Sequence, residues 1–301
     1  MKMESDHKIR NMIFCGDGLC WPLQLIVFGA VYYVTEGVTQ IVFGRNLLFM
    51  LGKWNGNGSV VQLFYNIEDI IANVIICIAL LFAFRIMNKD GQLSQMGLPG
   101  FSKQSALRMA AGFAVGAVSV SAVIAVQMMT GAVSIVRFAP DVWLPGFLAM
   151  FLSVGYVEEI LTRGVLQHTL ENHLGRAAAV LAPSVFFGVI HIGNANLSIS
   201  AMINIILAGI FLALLTQKTQ SLYAAIGFHT SWNFFQGNVF GLPVSGNDMS
   251  QSVIWEAKTA GTGPAWDSGG GFGPEGTIYC TAVYVLMILA LLLYKVKLRN
   301  D

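Results

Sequence analysis

Gly155-Tyr156-Val157-Glu158-Glu159-Ile160-Leu161-Thr162-Arg163-Gly164 decides how this chain is read. The stretch lies inside an apolar segment running from about Val142 to Leu170. Two adjacent carboxylates and a guanidinium have no cheap place in hydrocarbon, where each costs roughly 2.5–3.5 kcal/mol on insertion scales. An ionisable cluster at that depth is a functional-site hypothesis by default, and its rival is a structural ion pair between packed helices. Helical spacing lets both hold. Glu159 and Arg163 are i,i+4 with the acid N-terminal, so they can pair on one face. Glu158 is turned about 100° away and is left to face something else.

Composition agrees with a membrane setting. The 301 residues are 55% hydrophobic and 11% charged, against about 25% charged in soluble domains. The formal charge of +1 argues against a nucleic-acid partner. Cys15, Cys20, Cys77 and Cys280 fit no metal motif and are expected to be free thiols. The first apolar run follows some twenty residues and lacks a small-x-small site at its end, so it is expected to be an uncleaved span.

Apolar runs long enough to span lie near 21–44, 60–87, 105–128, 142–170, 176–194, 198–216, 221–239 and 278–295. The expected fold is therefore all-α, a polytopic membrane protein of about eight transmembrane helices. Glu36 interrupts the first run and Glu68-Asp69 the second, which is expected to begin as an interfacial turn and to span from about Ile70. With the N-terminus inside, the inner segments hold Lys2, Lys8, Arg10, Arg85, Lys89, Lys103, Arg108, Arg176, Lys218, Lys295, Lys297 and Arg299. The outer segments hold only Arg45, Lys53, Arg137 and Lys258. This bias predicts both termini inside. The chain then divides into an N-terminal cytoplasmic segment (1–20), helices 1–3 (21–140), a core of helices 4–7 (141–240), a Gly-rich outer loop (241–277), and a last helix with a basic tail (278–301). The loop's Gly269-Gly270-Gly271-Phe272-Gly273-Pro274 predicts flexibility. It resembles a phosphate-binding loop only superficially, because no Lys-Ser/Thr follows.

Further polar residues recur in the later spans. His191 follows Phe187 at i+4, and His229 precedes Asn233 at i+4. Residues four apart share a helix face. Each histidine alone reads as a satisfied core residue. Two intramembrane histidines, an asparagine and an unpaired glutamate find partners best in one another. Asn194 and Asn196 read as helix-end residues. The chemistry suggested is hydrolysis, in which a carboxylate takes a proton from water beside a histidine. An amide and a second imidazole then hold the oxyanion. One carboxylate and two histidines (Glu158, His191, His229) could instead bind zinc, although no His-Glu-x-x-His is present.

Glu-Glu-x-x-x-Arg, Phe-x-x-x-His and His-x-x-x-Asn, in that order on successive apolar helices, resemble the CPBP (Abi) family. That family comprises CAAX-processing and bacteriocin-processing or self-immunity proteins, and includes the type II CAAX prenyl endopeptidases. The resemblance covers about residues 142–238 and implies eight spans with residues 141–240 as the catalytic core. It also implies an intramembrane glutamic or metallo-endopeptidase. Glu158 would be the general base, with His191 sharing in water activation. His229 and Asn233 would form the oxyanion hole, and Glu159 and Arg163 would hold the site's shape. No cofactor is required by this reading, zinc being the alternative. The implied partners are a peptide or protein tail and the lipid bilayer, and the expected location is a bacterial plasma membrane. Two other functions fit the same residues: a proton-coupled transporter, for which no matching broken helices occur in two halves, and a non-enzymatic immunity partner. Serine and aspartyl intramembrane proteases do not fit, because no serine has a histidine partner in motif and no aspartate lies deep in a late span.

Overall fold

In hydrocarbon every backbone N–H and C=O must be satisfied within the segment, so apolar runs of this length fold as helices. The computed structural model describes residues 14–15, 18–43, 58–88, 91–249, 253–260 and 264–293. The helices are α1 (Trp21–Phe43), α2 (Gly58–Met87), α3 (Lys103–Met129), α4 (Leu144–Glu159), α5 (His168–Leu174), α6 (Arg176–Ile190), α7 (Ile199–Thr219), α8 (Leu222–Phe234) and α9 (Ile278–Leu293). All eight apolar runs carry helix. Among the described residues, five helical stretches are long and apolar enough to cross a membrane: Trp21–Val42, Asn66–Met87, Lys103–Met129, Leu144–Leu174 and Ile199–Thr219. Arg176–Ile190 and Ile278–Leu293 are apolar but shorter. The protein is an all-α polytopic membrane protein with a little strand.

Four expectations need correction. The second run enters no interfacial turn, because α2 is continuous through Glu68 and Asp69. The fold also contains two short antiparallel pairs, β1 (Phe14–Cys15) with β2 (Gly18–Leu19) and β3 (Val133–Phe138) with β4 (Trp255–Thr259). Cys20 is disulfide-bonded, so the free-thiol reading holds for Cys77 and Cys280 but not for Cys20. Spacing excludes a metal motif but does not exclude a local disulfide. The side chain of Cys15 lies outside the described residues, as do Arg45, Lys53, Lys89, the N-terminal Lys2, Lys8 and Arg10, and the basic tail from 294.

The 241–277 loop is the fourth correction, because its described parts are folded rather than loose. β4 pairs with β3, where Arg137 and Glu256 form an ion pair and Phe138 packs on Trp255 at 4.6 Å between ring centroids. Phe272 is fully buried. Glycine serves close approach here. Gly273 has φ +93°, and a Cβ on it would lie 2.1 Å from the Pro243 carbonyl. A Cβ on Gly246 would lie 2.1 Å from the Ala195 carbonyl. Composition gives the glycine content but not the contacts that require it.

The core is an intimate pairing of α3 with α8. A Cβ on Gly112 would lie 2.0 Å from the Ala224 carbonyl, and one on Gly227 would lie 2.1 Å from the Met109 carbonyl. Small residues let two backbones touch where dispersion rather than water exclusion drives helix association. Around this pair Val120, Val123, Ile124, Phe211, Phe228 and Trp232 form one apolar cluster, and Leu80, Phe84, Val157, Ile160, Leu161 and Ile226 form another. Both clusters flank α8, the helix that carries His229 and Asn233.

Candidate active site

The cavity near the middle of the bundle holds about 550 Å³. Glu158, His191, His229 and Asn233 all line it. Three local structures deliver them, His229 and Asn233 sharing one helix.

Glu158 and Glu159 end α4, and the chain continues as a π-helix over Ile160–Gln167. Such π turns are rare and concentrate at functional sites. The Thr162 hydroxyl donates to the Glu158 carbonyl at 2.5 Å and accepts from Arg163 Nη1 at 2.6 Å. Arg163 Nη1 also donates to Glu159 Oε1 at 3.0 Å, and both side chains are fully buried. Arg163 Nη2 donates to the Gly209 carbonyl at 3.3 Å. The guanidinium sits 4.5 Å from the centre of the Phe187 ring, a cation–π contact.

Glu159 does more than pair with Arg163. Its Oε1 also meets His229 Nδ1 at 2.9 Å. A carboxylate accepts, so that ring nitrogen carries a proton. His229 Nε2 then points to Glu158, 3.7 Å from Oε2. Glu159 therefore holds one edge of the imidazole by a hydrogen bond, and Glu158 lies off the opposite edge beyond hydrogen-bond distance. Glu158 keeps part of its side chain open to the cavity, whereas Glu159 has none.

His191 closes α6 as its C-cap. Its Nδ1 lies 2.7 Å from the Phe187 carbonyl. A carbonyl can only accept, so Nδ1 carries a proton, and in the neutral ring Nε2 holds the lone pair. The Phe187 ring packs edge-on against both histidines, with centroids 4.8 Å from His191 and 6.0 Å from His229. Asn233 lies one turn after His229 on α8 and is 8% exposed. The chain again becomes a π-helix once α8 ends at Phe234, over Phe235–Val239.

Among the described residues, no three His, Cys, Asp or Glu side chains are grouped closely enough to hold a metal ion. In both histidines Nδ1 is taken, by the Phe187 carbonyl in His191 and by Glu159 in His229, so Nε2 is the nitrogen left to meet a further partner. Asn194 also lines the cavity, and its amide donates to the Ser245 carbonyl at 2.9 Å.

Other residues at the cavity gave little sign in the sequence. Tyr32 comes from α1, Asp69 from α2, Trp232 from α8, Asp248 from the outer loop and Glu275 from its last turn. Glu275 is the least foreseeable, because a single acid in a Gly-Pro-rich loop has no periodicity to place it. Burial pushes its carboxyl up from the usual range, opposed by the Ser245 N–H, by His191 and by Gln236. The available signal was its position immediately before the last apolar run.

A buried, membrane-embedded cavity lined by a glutamate, two histidines and an asparagine defines a class: integral membrane proteins with polar chemistry inside the helical bundle. Residues 140–235 match the family model described as type II CAAX prenyl endopeptidase Rce1-like. Over that segment the chain is similar to the CPBP, or CAAX protease, family, and the match supports assigning it there. No curated protein matches the chain.

Proposed function

We propose that the protein is an intramembrane endopeptidase that hydrolyses peptide bonds with a glutamate-activated water. The observation that carries this reading is the convergence of Glu158, His191, His229 and Asn233 on one cavity, within the family-matched segment. Glu158 is the general base, and the lone pair on His191 Nε2 accepts the water's other hydrogen bond. Water oxygen bonds to the scissile carbonyl carbon as its proton moves to Glu158. The carbonyl oxygen becomes an oxyanion that accepts from Asn233 Nδ2 and His229 Nε2. Glu158 then returns the proton to the departing amine as the C–N bond breaks.

The oxyanion role requires a proton on both ring nitrogens of His229. Glu159 accepts from one side and Glu158 lies on the other. With His229 charged, the buried set of Glu158, Glu159, Arg163 and His229 carries no net charge. A neutral set is the least costly way to keep four ionisable groups out of water. We read the eight apolar helical segments as eight spans with both termini inside, and place the protein in a bacterial plasma membrane. Substrates are peptides or protein tails that reach the cavity from the membrane.

The test is cleavage of a membrane-reconstituted peptide library by the purified parent, Glu158→Gln and Asn233→Ala. Loss of the base is expected to lower turnover by about 10²–10⁴-fold. Loss of the amide is expected to lower it by about 10²–10³-fold. Chelator should leave the parent unaffected. Abolition by chelator with recovery on added zinc would assign the chemistry to a metal. Parent-level cleavage by Glu158→Gln would remove the base assignment. A biological effect retained in Glu158→Gln, with no cleavage by the parent, would identify a non-enzymatic immunity partner. Proton flux without a cleaved product would identify a transporter.

A further inference from the structure

The cavity wall contributed by the outer loop carries a carboxylate that the hydrolytic residues do not use. Glu275 sits in a one-turn 3₁₀ helix, Pro274–Gly276, just ahead of α9. Its backbone is fastened to α7. Asn204 Nδ2 donates to the Glu275 carbonyl at 2.7 Å and to the Thr277 carbonyl at 2.8 Å, and Ser200 Oγ donates to the Gly276 carbonyl at 2.8 Å. Asn204 is itself held by the Thr281 hydroxyl at 2.6 Å. The side chain is fastened as well. Oε2 accepts from the Ser245 N–H at 2.5 Å, from Ser245 Oγ at 3.2 Å and from Gln236 Nε2 at 3.2 Å. Oε1 has only a long contact to Ser245 Oγ, at 3.4 Å. Every donor to this carboxylate is neutral, and no ion pair to it occurs among the described residues. Protein encloses Glu275, yet part of its side chain remains open to the cavity.

An acid enclosed by protein and held only by neutral donors is costly unless a cation joins it. The rest of the cavity has an excess of the same sign. Glu158, Asp69 and Asp248 line it with Glu275, no lysine or arginine does, and a charged His229 offsets one of these acids. A concave wall with such an excess focuses its field on whatever enters. A second feature shows that the cavity is shaped for a ligand. Asn233 lines it, is 8% exposed, and its side-chain amide has no partner among the described residues.

We propose that Glu275 is a specificity-determining residue that takes a lysine or arginine side chain of the substrate, within a few residues of the scissile bond. The inference rests on the reading of this cavity as the substrate site and narrows it to cationic peptides. The free carboxylate at the end of a CAAX-type tail would meet charge of its own sign here, so such tails are poor occupants.

The experiment compares three dansyl-labelled peptides, identical except for Lys, norleucine or Glu at one position, swept across the positions near the bond. Binding and cleavage are measured separately in detergent with the full chain. At one position the parent is expected to bind and cleave the Lys peptide on the order of tenfold better than the norleucine peptide. The Glu peptide should be the weakest of the three. In Glu275→Gln the Lys-to-norleucine ratio should fall towards one, and Glu275→Asp should retain most of it. Glu275→Asp also controls for folding, because it keeps the charge in a loop that depends on this side chain. A ratio of one in the parent at every position overturns the inference, as does a full ratio in folded Glu275→Gln. Binding that favours Lys without any cleavage keeps the inference and removes the protease reading; cleavage without charge preference does the reverse.

Discussion

At the residue scale, one carboxylate oxygen couples stability to geometry. Glu159 Oε1 serves Arg163 at 3.0 Å and His229 at 2.9 Å. Arg163 is 1% exposed, so its loss leaves a buried carboxylate without its cation. Arg163→Ala should destabilise the fold by about 3–5 kcal/mol, read as a lowered unfolding midpoint in detergent. A variant of parental stability that lacks activity would move Arg163 from support into the chemistry. The i,i+4 spacing of Glu159 and Arg163 was legible in the sequence. The second bond, to His229, was not, because it joins residues seventy apart.

At the element scale, the closest backbone contact in the bundle positions the site without touching it. Gly227 precedes His229 by two residues and packs against the Met109 carbonyl, while Gly112 packs against the Ala224 carbonyl. Gly112→Val or Gly227→Val must push α3 and α8 apart. Overpacking of this kind costs about 1–3 kcal/mol or more, and the displaced His229 should lower turnover beyond what the stability loss explains. Gly29→Ala and Gly37→Ala on α1 are controls, since nothing lies within 4 Å of either Cβ. If the α3 and α8 variants behave like these controls in both stability and turnover, the helix pair does not position the site. The apolar runs placed each helix to within a few residues. They did not show the π turns after Glu159 and Asn233, because an i→i+5 step depends on packing rather than on local propensity.

At the scale of the whole molecule, the distribution of basic residues sets an orientation that can be measured. Lys258 lies on β4 and Arg176 opens α6, and both are exposed. In intact cells, Lys258→Cys should react with an impermeant maleimide. Arg176→Cys should react only after permeabilisation. The opposite pattern would invert the topology and place the Glu275 loop on the cytoplasmic side.

The sequence by itself determined that this is a helical membrane protein, because long apolar runs have few other solutions in lipid. It also singled out Glu158, Glu159, Arg163, His191, His229 and Asn233, because polar residues are conspicuous against hydrocarbon. Tertiary structure alone decided which side chains meet. It put His229 between two glutamates and fixed the His191 tautomer through the Phe187 carbonyl. It also folded a Gly-rich loop so that Glu275 reaches the cavity. The physical reason is that each of those outcomes depends on groups far apart in the chain, or on a backbone bent by its neighbours, and helical spacing carries information only one or two turns along the chain.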